Sequence, residues 1–197
     1  MERAFALAFA LAFALANHWH TGHMRKGTEI PYISHLMAVS ALVLEYGGTT
    51  TQASAALLHD VIEDTDCTIE EIIKLVGNDV AQIVWECTHV EFAEITDKEA
   101  KTVAKKTFYL ERLLSPDRLA AANLVALCDK THNIECTVRD WQISGQDKSM
   151  FNKFNGGYEI QKNWYTSLAN AFDTLDVPAD LRTRFRTAVT TVFGCTQ

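Results

Sequence analysis

Ala56-Leu57-Leu58-His59-Asp60-Val61-Ile62-Glu63-Asp64-Thr65 sets four ionisable side chains into an otherwise apolar run. Read as the end of a helix from about Thr51 to Glu63, it places His59 and Glu63 on one face and Asp60 and Asp64 on the next. Buried carboxylates without partners cost several kcal/mol each, so a cluster of this kind calls for a cation. Imidazole and carboxylate donors suit a divalent transition metal such as Mn²⁺, Fe²⁺ or Zn²⁺. The plainer alternative makes His59 a hydrogen-bonded core histidine and Glu63-Asp64 an exposed helix end.

Helical signals continue on both sides. A helix from about Ser34 to Tyr46 stops at Gly47-Gly48. Thr68 with Glu71 forms a capping box for the next helix, which Gly77 ends, and Asn78 is placed to cap another through about His89. Asp97–Leu114 reads as a charged helix broken by Pro116, and Arg118 to about Thr137 as a long apolar one. Gln142–Gly157 is loop-rich, and two helices follow near Tyr158–Leu175 and Pro178–Phe193, the latter with proline in its first turn. No strand-hairpin pattern and no linker appear, which predicts an all-α fold in a single domain spanning residues 1–197, with loop at Thr21–Pro31.

At 197 residues, with 48% hydrophobic and 22% charged residues, the chain has ordinary globular composition and can bury a sizeable core. A net charge of -7 argues against a general nucleic-acid binder but leaves room for a local basic patch and an anionic substrate. The five cysteines form no C-x-x-C pair, as expected of reduced thiols in a cytoplasm. The threefold Ala-Phe-Ala-Leu repeat over residues 4–16 reaches only ~20 Å as a helix, short of a ~30 Å bilayer core. Ala14-Leu15-Ala16 has the look of a signal-peptide cleavage site, but Glu2-Arg3 supplies no net charge ahead of it. A first helix buried all round is the expectation, with no membrane association.

A metal needs more donors than one helical turn supplies. His35 opens the second predicted helix, and Asp129 lies in the apolar run Val125-Ala126-Leu127-Cys128-Asp129. Three segments could converge on one ion and leave positions open for water. Metal-bound water becomes a nucleophile near neutral pH, and Glu63 or Asp64 could orient it or move its protons.

Three runs together resemble the HD hydrolase domain of RelA/SpoT proteins. They are Arg25-Lys26-Gly27-Thr28-Glu29-Ile30-Pro31-Tyr32-Ile33-Ser34-His35, Leu57–Thr65, and Leu127-Cys128-Asp129-Lys130-Thr131-His132-Asn133. The resemblance spans roughly residues 16–170, and without a synthetase domain the chain is most similar to the stand-alone small alarmone hydrolases. It implies a Mn²⁺-dependent 3′-pyrophosphohydrolase acting on ppGpp and pppGpp to give GDP or GTP plus pyrophosphate. It further implies metal ligation by one ion's set of His35, His59, Asp60 and Asp129, and a catalytic acidic pair in Glu63 and Asp64. Arg25, Lys26 and Asn133 match nucleotide contacts, and Lys130 is a candidate beside them. Three positions depart from the family pattern: His23 in place of Gln, Leu36 in place of Pro, and Glu135 in place of a basic residue. A carboxylate at 135 would weaken anion binding if it faced the site.

Other signals read as structural. His18, His20 and His23 do not share a helix face, which disfavours a second metal site. Lys98, Lys101, Lys105 and Lys106 read as a solvated face, or as a rim that attracts polyphosphate. Tyr158, Trp164 and Tyr165 read as core. Competing functions are hydrolysis of another nucleotide such as ppApp and a non-catalytic nucleotide sensor. Intact Glu63 and Asp64 disfavour the sensor, which has no need of a water-activating pair.

Overall fold

The computed structural model describes the backbone of residues 2–88 and 92–194, with side chains from residue 6 onward. The helices are α1 (Glu2–Trp19), α2 (Ile33–Glu45), α3 (Thr50–Leu58), α4 (Val61–Asp64), α5 (Ile69–Val76), α6 (Asn78–Cys87), α7 (Lys98–Leu113), α8 (Ala121–Ile143), α9 (Gly157–Thr174) and α10 (Ala179–Phe193). A 3-10 turn, Lys148–Lys153, lies in the stretch read as loop. The described residues contain no strand, only an isolated bridge between Met24 and Pro31. The fold is all-α.

The chain divides into two compact units, Met1–Thr88 with Leu119–Asp129, and His89–Arg118 with Lys130–Gln197. In the first unit α3 is the central element, packing against α1, α2 and α6. Its sequence explains this: Ala53, Ser54, Ala55 and Ala56 are small enough for close approach on several sides, and all are buried with Leu57 and Leu58. Thr49 and Gln52 form a capping box at its start, and Gln52 also donates to the Ala121 carbonyl of α8 at 2.8 Å. Ser40 of α2 donates to the Ala53 carbonyl at 2.8 Å. Gly48 permits the sharp turn between α2 and α3, where a Cβ would lie 2.6 Å from the Val43 carbonyl oxygen.

The second unit is held by rings. Phe151 lies 5.6 Å from Phe193 and 5.2 Å from Tyr158, and Phe185 lies 5.6 Å from Phe172. Trp164 and Tyr165 are core residues, as their spacing predicts.

Several local expectations need correction. The helix carrying His59 stops at Leu58, and a separate turn of helix begins at Val61. Asn78 is the first residue of α6, not its cap, and the capping position is Gly77 at φ +94°, a backbone angle that favours glycine. Pro178 likewise caps α10 from outside it. Helix α8 starts three residues later than expected and runs on to Ile143, because Thr137 satisfies its hydroxyl on the Asn133 carbonyl within the helix. Helix α1 is not buried all round: Ala12 and Ala16 are fully buried, while Leu7 and Phe13 are 72% and 40% exposed. The expected helix end at His89 and the fifth cysteine, Cys195, fall outside the described residues.

Candidate metal centre

The end of α3 delivers His59 and Asp60 to a buried point. His59 has a helical φ, but Asp60 opens to φ −100°, ψ −2°, and the next helical turn starts after it. The Asp64 N–H still donates to the Asp60 carbonyl at 2.9 Å, so the acidic pair stays one turn away. His59 Nδ1 lies 2.7 Å from the Ala56 carbonyl oxygen. A carbonyl only accepts, so Nδ1 carries the proton and donates, which turns Nε2 toward the site.

Four residues from three segments converge there. His35 Nε2 lies 3.1 Å from Asp129 Oδ1 and 3.7 Å from Asp60 Oδ2. His59 Nε2 lies 3.0 Å from Asp60 Oδ2 and 3.4 Å from Asp129 Oδ1. His35, His59 and Asp129 are buried, with donor atoms all within 4.8 Å of one another. His59 Nε2 is buried and makes no hydrogen bond, although two carboxylate oxygens face it. With the proton on Nδ1, a neutral His59 presents a lone pair to those oxygens, which is repulsive unless a cation sits among them. The donor set therefore fits a divalent ion bound by two nitrogens and two oxygens.

The electrostatics agree with a site waiting for positive charge. Burial alone lowers the His59 pKa, but Asp60 and Asp129 together overcome it and hold the imidazolium well above its ordinary range. At His35 burial wins and the pKa falls, with Asp129 offsetting only part of it. Burial raises the Asp60 pKa, yet the charge of His59 overrides this and holds the carboxyl below the usual carboxylate range. Asp64 is exposed as a residue, but desolvation of its carboxyl, then the charges of Asp60 and Glu63, push its pKa up to about 7. Glu63 is exposed beside it.

A loop braces the centre. The Arg25 N–H donates to the Ile30 carbonyl at 2.8 Å, and the Tyr32 N–H to the His23 carbonyl at 2.9 Å, closing residues 23–32 on themselves. The Tyr32 hydroxyl donates to Asp60 Oδ2 at 2.5 Å. His20 stacks on the Tyr32 ring at 5.0 Å and 21°, and the Arg25 guanidinium lies 5.7 Å from the same ring. Lys26 is exposed at the loop tip.

Tyr32 and His20 were not assigned roles from sequence. The signal for Tyr32 was its place one turn before His35. His20, one of three histidines whose pattern reads as structural, in a loop or at a helix end, is only 3% exposed, and burial pushes its pKa down to about 4. Its Nδ1 is 3.3 Å from that of His23, in the turn that follows the end of α1 at Trp19. Lys130 and Asn133 continue α8 in the second unit, Lys130 buried and Asn133 half-buried. Glu135 is clamped there by Arg184 of α10, with contacts of 2.6 and 2.9 Å, so its charge is offset locally. The basic run is not uniformly solvated, since Lys106 lies 4.3 Å over the ring of Trp164.

Comparison with known proteins points one way. The HD domain family matches residues 12–153. A Xenopus tropicalis protein named guanosine-3′,5′-bis(diphosphate) 3′-pyrophosphohydrolase MESH1 is 37% identical over 129 residues, covering 62% of this chain and 67% of that protein. The Mus musculus protein of the same name is 34% identical over 133 residues, covering 64% and 69%. The bifunctional (p)ppGpp synthase/hydrolase SpoT of Escherichia coli K12 is 32% identical over 115 residues, covering 58% of this chain but 16% of that protein. A solved structure described as a metazoan ortholog of SpoT that hydrolyzes ppGpp superposes with a TM-score of 0.72 over 95% of this chain and 97% of that one. At 23% identity that likeness is one of fold. Among the described residues no helix is long and apolar enough to cross a membrane.

Proposed function

This chain belongs to the HD-domain family, and we propose that within it the protein is a metal-dependent 3′-pyrophosphohydrolase, converting ppGpp and pppGpp to GDP and GTP with release of pyrophosphate. The observation that carries this reading is the meeting of His35, His59, Asp60 and Asp129 side chains around one buried point. The relatives' names supply the substrate. A cytoplasmic location suits such a nucleotide, and the whole chain acts as one hydrolase domain.

In this reading the two histidines and two aspartates hold one divalent ion, with Mn²⁺ favoured over Mg²⁺ because imidazole suits it better. When bound, the ion polarises phosphoryl oxygens and lowers the pKa of water. Asp64, whose pKa desolvation and the charge of Asp60 push up to about 7, takes or returns a proton, and Glu63 adds to that rise through its adjacent charge. Arg25 and Lys26 hold the anionic nucleotide, and Lys130 and Asn133 add polar contacts. Tyr32 fixes the orientation of Asp60 through its hydroxyl.

The test is product analysis by anion-exchange chromatography, using chelator-stripped protein resupplied with Mn²⁺ or Mg²⁺ and offered ppGpp, ppApp or deoxynucleoside triphosphates. GDP and intact pyrophosphate should appear in equal amounts from ppGpp, faster with Mn²⁺. Orthophosphate as the first product would reject the pyrophosphohydrolase reading, and full activity without metal would reject the metal centre. Preference for ppApp would move the specificity to adenine.

A further inference from the structure

A cavity of about 240 Å³ lies in the first unit, lined by the first two turns of α3 and the first turn of α6. Thr50, Thr51 and Ser54 form one wall, and Gly77, Asn78 and Asp79 form another. The metal centre lies past the far end of α3, roughly 12 Å along the helix. The cavity is therefore no part of that centre.

Two helix starts open on this space, and both leave backbone donors without acceptors. The capping box of α3 occupies the Thr49 and Gln52 N–H groups, which leaves those of Thr50 and Thr51. Helix α6 has Gly77 at its capping position and no side-chain cap, which leaves the N–H groups of Asn78, Asp79 and Val80. Each helix also brings the positive end of its dipole, and the first turn of α3 carries no acidic residue to offset it. A buried side chain adds to these helix ends. Ser54 is 1% exposed, it lines the cavity, and its hydroxyl makes no hydrogen bond among the described residues. A hydroxyl inside a helix can return its proton to a carbonyl one turn back, as Thr88, Thr137 and Thr183 do here. Ser54 does not, and its donor is left for the cavity.

Backbone N–H groups and a hydroxyl meeting in one cleft call for an oxyanion. Asp79 narrows the class. Its side chain also lines the cavity, and a carboxylate repels an anion unless that anion has a proton to donate. Phosphate carries such a proton near neutral pH, as does the monoanion of a phosphate monoester, whereas sulfate does not. We propose that this cavity binds a protonated phosphoryl group. The N–H groups of both helix starts and the Ser54 hydroxyl donate to its oxygens, and its own O–H donates to Asp79. The occupant is free phosphate or a phosphate monoester, and the site does not rest on the hydrolase reading.

The full chain, labelled with ¹⁵N and kept in chelator near neutral pH, is titrated with inorganic phosphate, glycerol 3-phosphate and sulfate while backbone amide shifts are followed by NMR. Phosphate should move the amides of Thr50, Thr51, Asn78, Asp79 and Val80 with one shared affinity. Ser54→Ala should weaken that affinity by about fivefold, the scale of one hydrogen bond. Asn78→Pro removes one donor at a helical position that suits proline, and should weaken it by a similar factor. Sulfate should bind about tenfold more weakly than phosphate, and Asp79→Asn should close that gap. Circular dichroism checks that each variant is folded. Tighter binding of glycerol 3-phosphate than of phosphate would identify a monoester as the occupant, and the reverse order the free anion. Phosphate that leaves these amides unmoved, or that binds as tightly to both Ser54→Ala and Asn78→Pro, would overturn the proposal. So would sulfate bound as tightly as phosphate. The amide shifts report this cavity without turnover, so a failure of the hydrolase reading would not imitate any of these results.

Discussion

Tyr32 and Asp64 each modify the centre without belonging to its four converging donors. The Tyr32 hydroxyl holds one oxygen of Asp60, and His20 holds the ring. Tyr32→Phe keeps the ring and its stacking but frees the carboxylate to rotate. Metal affinity should fall by about tenfold or more, the usual scale for losing a hydrogen-bond partner of a metal ligand. Asp60→Ala should lose the metal itself, whereas Glu63→Ala and Asp64→Ala should keep it and lose on the order of 10²–10⁴ in kcat. Elemental analysis beside kcat separates these cases, and metal lost from Asp64→Ala but retained in Asp60→Ala would reverse the assignment. Asp64 also leaves a mark on stability. Its folded pKa of about 7 lies above the ordinary carboxylate value, so its contribution is favourable at acid pH and is lost as pH rises toward 7. In metal-free protein Asp64→Asn should therefore stabilise at pH 8 and change little at pH 4. Urea denaturation at the two pH values measures this, and equal effects at both would contradict the raised pKa.

Two helices differ from their sequence pattern, for reasons of packing. In α1 the Phe and Leu rows of the repeat suggest a helix buried on both sides. The buried positions are instead Ala12 and Ala16, which let α1 approach α3 closely, and Leu7 is left 72% exposed. Ala16→Leu should overpack this contact and cost about 1–3 kcal/mol, while Leu7→Gln should stay within about 0.5 kcal/mol. Chemical denaturation of the two variants checks the ranking, and the reverse order would mean that the Phe/Leu side is the packed one. The other case is the break between α3 and α4. An unbroken helix would carry His59 and Glu63 along one face. Opening the backbone at Asp60 brings the His59 and Asp60 side chains within 3.0 Å of each other, a pairing that adjacent residues of a regular helix do not make.

Across the protein, stability should depend on metal and pH together. The folded metal-free state holds a proton on His59 above its ordinary range, and that stabilisation is complete below the unfolded pKa of about 6.5 and lost as pH rises through the folded value. Asp64 shifts in the same direction. Bound metal replaces the His59 proton, so its apparent affinity should rise with pH. Saturating Mn²⁺ stabilises the fold by mass action, about 2.7 kcal/mol at a hundredfold excess over Kd. The gap in Tm between Mn²⁺-loaded and chelated protein should therefore widen from pH 6 to pH 8.5. A scanning-calorimetry gap that narrows over this range would show that protons and metal do not compete at the centre.

The all-α class, most helix boundaries and the identity of the convergent residues were legible in the sequence. Periodicity, capping residues such as Thr68 with Glu71, and charges inside apolar runs are local features, and local chemistry constrains them whatever lies across the fold. The three motif runs added the family, since so specific a combination of residues is read without coordinates. Position in space was not legible. Sequence spacing did not show that Tyr32 donates to Asp60, that His20 turns inward, that Glu135 meets Arg184 from 49 residues away, or that Lys106 leaves the solvated row for the face of Trp164. Each depends on which side of an element faces which neighbour. That choice belongs to tertiary packing, where small residues such as Ala12 and Ala16 decide the close approach and the larger side chains take the space that remains.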